Sequence, residues 1–537
     1  MSAAPRGRTI VFGVDSADLL LIERWAGEGL LPFFDSMLRH GPLVRLTAVS
    51  RVLQGAVWTS LLTGRSPGEH GTFYFTQLTN GTYNLDQVET DHYALDPYYS
   101  QLEAHGVHCA IVDVPGDMPI EGFKGVHVVD WLTEFQYWRF ATQPAAVKQQ
   151  IEAELGVLSP SGGFGPTLDG LEGHRQLRAR LEQTVTMKAA LARQLLARAD
   201  LSHVFLVFAE AHKAGHFLWK YMDAAHPEHV AAEPYLRDAL LEIYQLLDRT
   251  LAELAAELHP EDNLLIFSDH GMQANYRGDH LVGAILDRLQ LQAPRQATDA
   301  HEKADSVPAR ALPKHGARAR LRALVRRTTP NFFLRALRHR FGEASRMDWS
   351  RTKVFLLPTD RNTYLRVNLR GREPAGIVAP GKEYDELLAF LAREFRALVN
   401  VETGKPAVEA VYHVHELFPG PRAADLPDIT VVWAADAPLN SVESARLGRI
   451  DVRVREDRSG NHRSEGFLLA RGPAFRPGPM TLHGDVMQFP ATMLALHGVE
   501  RPAYYAMPPL TEALTASQRA RSTADASRQS RDVCHSD

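Results

Sequence analysis

The feature that most constrains this chain is a recurring unit: a short run of β-branched and aliphatic residues, then polar residues, then a longer helical pattern. Runs at Ile10–Val14, Ala110–Val114, Val126–Val129, Val204–Phe208 and Leu264–Phe267 predict strands buried on both faces, as in a parallel sheet joined by crossover helices. Arg175 to Ala199 places Leu177, Leu181, Met187, Leu191, Leu195 and Leu196 at helical spacing. Tyr235 to Leu258 repeats the pattern, so both predict amphipathic helices. The expected fold class is α/β: a mostly parallel central sheet flanked by helices on both faces, with helical cap insertions.

Of 537 residues, 45% are hydrophobic and 23% charged, enough apolar material for a sizeable core and incompatible with disorder as the main state. Lys and Arg number 59 against 64 Asp and Glu, a net charge of −5, which excludes a nucleic-acid binder built on a basic surface. The two cysteines, Cys109 and Cys534, supply neither a disulfide framework nor a four-cysteine zinc site, and a reducing, cytoplasmic setting is expected. Neither a signal peptide nor an uncharged apolar stretch of roughly 18 residues is read, so no membrane partner is expected.

One segment departs from the average. Residues 310–340 contain no Asp or Glu, while arginines from Arg318 to Arg340 crowd around Phe332, Phe333 and Leu334. This predicts a solvated basic helical insertion; the alternative is a cap attracting an anionic small molecule or carrier-bound substrate. The expected division is a catalytic domain over 8–510, a helical insertion over 131–200, a basic cap over 300–345 and a disordered tail over 511–537.

Three strand runs lead directly into potential metal ligands. Ile10–Val14 precedes Asp15, Val204–Phe208 precedes Glu210, His212 and His216, and Leu264–Phe267 precedes Ser268-Asp269-His270-Gly271. Ligands of open α/β sheets collect beyond the carboxyl ends of strands, where these distant residues could meet. His462, in Ser459-Gly460-Asn461-His462-Arg463, is a fourth candidate. Alone, Asp15 could equally cap a helix beginning near Ser16, and His212 and His216 could share an ordinary helix face.

The run from Val57 through Trp58-Thr59-Ser60 to Thr63-Gly64-Arg65-Ser66-Pro67-Gly68-Glu69-His70-Gly71 resembles a motif of the type I phosphodiesterase/nucleotide pyrophosphatase branch of the alkaline phosphatase superfamily. Asp15, Ser268-Asp269-His270-Gly271, Gly371-Arg372-Glu373-Pro374-Ala375-Gly376-Ile377-Val378 and Gly460-Asn461-His462-Arg463 follow in the family's order. The resemblance implies an alkaline-phosphatase-like fold with two divalent metal ions, zinc foremost, and manganese or iron as alternatives. It implies one ion on Asp15, Asp269 and His270, and the other on His212, His216 and His462.

Two positions depart from the family. The nucleophile, a Thr or Ser six residues before the Ser of the motif, is Gln54 here, and an amide is no nucleophile; it can ligate a metal or donate to a substrate oxygen. The family's Asp four residues before His216 is His212, making that ligand set three imidazoles, the kind that holds a catalytic zinc with an open position. Two divalent ions against Asp15 and Asp269 leave a charge of about +2, which favours anions. The expected activity is hydrolysis of a phosphate, phosphonate or sulfate ester by metal-bound hydroxide, with no covalent intermediate. A displaced nucleophile at Ser50, Thr59 or Ser60 is disfavoured. The alternatives are a non-hydrolytic, for example iron-dependent, metalloenzyme and a catalytically silent ligand-binding relative.

Overall fold

Thr9–Val14 is buried at every position, and its side chains divide between two cores. Ile10, Phe12 and Val14 point into one, Val11 into the other, and Val204 to Phe208 in the neighbouring strand alternate in the same way. An apolar run without polar alternation is therefore what a strand covered on both faces requires. Each such Leu, Ile or Phe contributes about 1.5–3 kcal/mol through burial. The computed structural model describes residues 7–47, 49–87, 96–132, 140–156, 170–293, 347–359, 361–452 and 458–520. The whole of 300–345, with the basic 310–340 segment inside it, parts of 131–200 and residues 521–537 lie outside the described residues.

The central sheet has nine strands, in the order Met480–Asp485, Pro42–Thr47, Gly466–Arg471, Asn263–Ser268, Thr9–Val14, His203–Phe208, Cys109–Val112, Val126–Val129 and Ala141–Gln143. The strands from Asn263–Ser268 to Val126–Val129 run parallel to one another. Gly466–Arg471 is antiparallel to both its neighbours, and Ala141–Gln143 closes the other edge antiparallel. The expected mostly parallel α/β sheet is thus present. The two expected helices are present as well: Gly170–Leu196 is continuous, whereas the second divides at Asp238 into Pro234–Arg237 and Ala239–Ala256. Both pack on one face of the sheet, while Val57–Thr63, Tyr98–Ala104 and Gln488–Leu496 cover the other.

A second sheet, antiparallel and four-stranded, runs Val354–Leu357, Thr363–Val367, Ile429–Trp433, Val408–His413 and has its own core with the helix Lys382–Arg396. The Gly-Arg-Glu-Pro motif braces it. Arg372 grips the fully buried Asp428 through both terminal nitrogens at 2.7 Å, and Glu373 accepts from Arg366 at 2.8 Å. The Trp-Thr-Ser motif is likewise largely architectural: Thr59 and Ser60 lie inside the Val57–Thr63 helix, and the Ser60 hydroxyl meets His70 Nε2 at 2.8 Å. Gly64 closes that helix in the left-handed region (φ 66°), where a Cβ would sit 2.6 Å from the Tyr505 ring.

Candidate metal centre

Strand register delivers the first ligands. Gly13 pairs with Phe267, so two residues further on Asp15 and Asp269 leave adjacent parallel strands side by side. Val14 pairs with Phe208 on the other flank, where the next helix, Glu210–Met222, carries His212 and His216 one turn apart. His462 arrives from far along the chain, because Gly460–Arg463 pairs antiparallel with Gly271–Ala274, the strand that continues from His270. All six residues are buried. Their donor atoms form two groups, Asp15 with Asp269 and His270, and His212 with His216 and His462, each within 4.8 Å.

Asp15 is not the helix cap: the first helix begins at Leu19, where Asp18 Oδ1 accepts from the Leu21 amide at 3.0 Å. Asp15 instead accepts from His212 Nδ1 at 2.9 Å. His216 Nδ1 donates to the Gly460 carbonyl, also at 2.9 Å. A carboxylate and a carbonyl only accept, so the protons sit on Nδ1 of both rings and each Nε2 presents a lone pair. Those two Nε2 atoms face each other at 2.9 Å. Such an arrangement is stable only with a cation between or beside them, a proton or a metal ion. Asp269 Oδ2 and His270 Nδ1 approach one another at ion-pair range, yet neither has a hydrogen-bond partner, and both are buried. The donor set therefore fits divalent ions.

The electrostatics agree. Burial alone would raise the Asp15 carboxyl, but His212, through charge and hydrogen bond, and His270 hold it down at about 2. Burial raises Asp269, with the neighbouring Asp15 adding to the rise and His270 opposing it. His462 falls well below the usual imidazole range through burial, then through the charges of His270, His216 and His212, which keeps its lone pairs available.

Two glycines allow the helix Glu210–Met222 to approach the paired strands Gly271–Ala274 and Gly460–Arg463. A Cβ on Gly460 would lie 2.0 Å from the Gly215 carbonyl, and one on Gly215 would strike the Met272 side chain. Gly460→Ala is expected to lower stability by about 1–3 kcal/mol in urea unfolding and to weaken metal affinity by drawing His216 off its carbonyl. Unchanged unfolding would show that the helix and the paired strands have room to spare.

Ser16, which the sequence reading did not single out, belongs to this cluster. Held in the left-handed region (φ 55°), its hydroxyl lies 3.1 Å from Asp15 Oδ1 and 2.9 Å from His270 Nε2. Its only sequence signal was its place beside Asp15. Gln54 stands apart from the six in hydrogen bonding. It opens the short 3-10 turn Gln54–Ala56, gives its backbone N–H to the Tyr364 hydroxyl at 3.0 Å, and leaves its buried Nε2 unpartnered. Ser50 bonds the Ser464 carbonyl, so neither it nor Ser60 is left as a loose hydroxyl.

Residues 9–432 match the family described as Type I phosphodiesterase / nucleotide pyrophosphatase. The chain belongs to that family. It is thereby an enzyme of the phosphoester hydrolase type. Among solved structures it is similar to murine ectonucleotide pyrophosphatase/phosphodiesterase 5 in complex with AMP, at 13% identity and a TM-score of 0.45 over 95% of this chain and 100% of that one. It is also similar to phosphonoacetate hydrolase from Sinorhizobium meliloti 1021 in complex with phosphonoformate, at 12% identity and a TM-score of 0.48 over 89% and 91%. No curated protein matches the chain in sequence. Among the described residues, no helix is long and apolar enough to cross a membrane.

Proposed function

We propose that the chain is a metal-dependent hydrolase of anionic phosphate, phosphonate or sulfate esters that works without a covalent nucleophile. The observation that carries this reading is the facing pair of Nε2 atoms on His212 and His216, whose other nitrogens are both committed to acceptors. One ion would rest on those two residues and His462, the other on Asp15, Asp269 and His270. Divalent ions held there, zinc foremost, would supply positive charge against the anionic ester and would lower the pKa of a water they bind to roughly 7.

The chain's own groups supply the rest. Asp15 stays ionised at neutral pH, and His462 stays neutral as a donor. Gln54 offers an unpartnered amide N–H to a substrate oxygen, in place of the attack a hydroxyl there would make. The Ser16 hydroxyl, between Asp15 and His270, helps to hold both in place.

Protein purified without chelator is expected to carry two divalent ions per chain and to hydrolyse an activated aryl ester with no burst of product, losing activity with EDTA and regaining it with zinc. One iron per chain without turnover would move the assignment to non-hydrolytic chemistry. Gln54→Thr is expected to create a product burst and to raise phosphodiesterase activity at least about tenfold, the lower range of what a positioned group contributes. A variant with the wild-type rate and no burst would show that the centre does not retain the geometry for covalent attack.

A further inference from the structure

Outside the six ligands, Arg361 has the most unusual surroundings of any charged group described. It is 8% exposed, yet it makes one hydrogen bond, from Nη1 to Ser464 Oγ at 2.6 Å, and no ion pair among the described residues. Its neighbours are compensated: Arg463 donates to Asp18 at 3.1 Å, and Arg51 pairs with the half-exposed Glu409 at 2.9 Å. Burial pushes the Arg361 guanidinium below the usual arginine value; Glu409 opposes this, while the charges of Arg463 and Arg51 add to it. A guanidinium has five N–H donors in a planar fork and does not shed its proton, so a buried one without a carboxylate is costly unless an anion joins it.

Its position ties it to the candidate centre. Ser464 lies two residues past His462, and its carbonyl accepts from Ser50. Asn362 donates to the Arg51 carbonyl at 3.0 Å, and Tyr364 takes the Gln54 N–H at 3.0 Å. Residues 361–364 are thus laced to the loop that carries Gln54 and to the segment that carries His462. Two further buried polar atoms in this junction, Gln54 Nε2 and Asn362 Oδ1, have no partner.

We propose that Arg361 forms a subsite for a second oxyanion of the substrate, a carboxylate or phosphoryl group set apart from the ester under attack, with the Gln54 amide left to the ester itself. The enzyme then selects esters with a remote negative charge, and Arg361 is a specificity residue. This rests on the hydrolase reading above, and the test separates the two.

Zinc-loaded protein is titrated calorimetrically with 3-phosphonopropionate and with its primary amide, which keeps the phosphonate for the metal centre and removes the remote charge. Wild type is expected to bind the carboxylate at least about tenfold tighter than the amide, the range of a charge-assisted pair. Arg361→Gln is expected to bring that ratio to about one, with amide affinity unchanged. Should Arg361→Gln fail to fold, Arg361→Lys, which keeps the charge but loses the fork, is expected to reduce the ratio severalfold. A ratio near one in wild type, or one that survives in the variant, overturns the subsite and leaves the centre standing. Failure of both compounds to bind wild type overturns the hydrolase reading, and the subsite with it.

Discussion

Replacing His216 by alanine is expected to reduce the metal content from two ions per chain to one and to lower hydrolysis by about a thousandfold or more. His212 and His462 alone would leave the second ion two ligands, and loss of one side of a paired charge clamp removes transition-state stabilisation directly. The fold should survive, because the hydrogen bond from His216 Nδ1 to the Gly460 carbonyl is worth about 1–3 kcal/mol when its partner is left buried. His270→Ala should empty the other group in the same way. Elemental mass spectrometry alongside the rate decides the matter, and full occupancy in both variants would refute the ligand assignment.

The second large effect concerns stability. Arg372→Ala is expected to cost about 3–5 kcal/mol in chemical unfolding, because it strips both terminal hydrogen bonds from a carboxylate that is 1% exposed. Asp428 has other donors, the Val367 amide at 2.6 Å and the Tyr384 hydroxyl at 2.5 Å, but they are neutral and cannot balance its charge. Burial would raise this carboxyl; the hydrogen bonds and charge of Arg372, with help from Arg366, hold it at about 2 against an ordinary 3.8. Between those values the unfolded chain binds the proton and the folded chain does not, so acid favours unfolding. The contribution, about 2 kcal/mol, is complete above pH ~5 and fades as the pH falls toward 2. Asp428→Asn should flatten that part of the stability profile between pH 5 and 3. A profile as steep as that of wild type would assign the acid sensitivity to other carboxylates.

The arginine concerned belongs to the Gly-Arg-Glu-Pro motif, one of the strongest family signals in the chain. Its work in the structure is to brace the second sheet around Asp428, which is a packing role. A motif can therefore mark the family with high specificity while saying little about the reaction. The Trp-Thr-Ser motif is similar, since Ser60 and His70 secure a helix and its following turn against each other.

What the sequence determined by itself was local, the strands buried on both faces and the amphipathic helices, while the six ligand candidates followed from the family resemblance of the motifs around them. The strands and helices are legible because apolar runs and three- or four-residue spacing are set by neighbours along the chain. The strand beginnings and ends moved by a residue or two, and the Tyr235 to Leu258 helix divided at Asp238. The antiparallel insertion of Gly466–Arg471, the second sheet, and the pairing that sets His462 beside His270 came only from the tertiary structure. So did the places of Ser16 and Arg361, one a serine at a strand end and the other an arginine in a loop, neither of which shows in any local pattern. Register between segments hundreds of residues apart, and burial of a charge with no ion pair among the described residues, are decided by packing over the whole molecule; no window of sequence contains them.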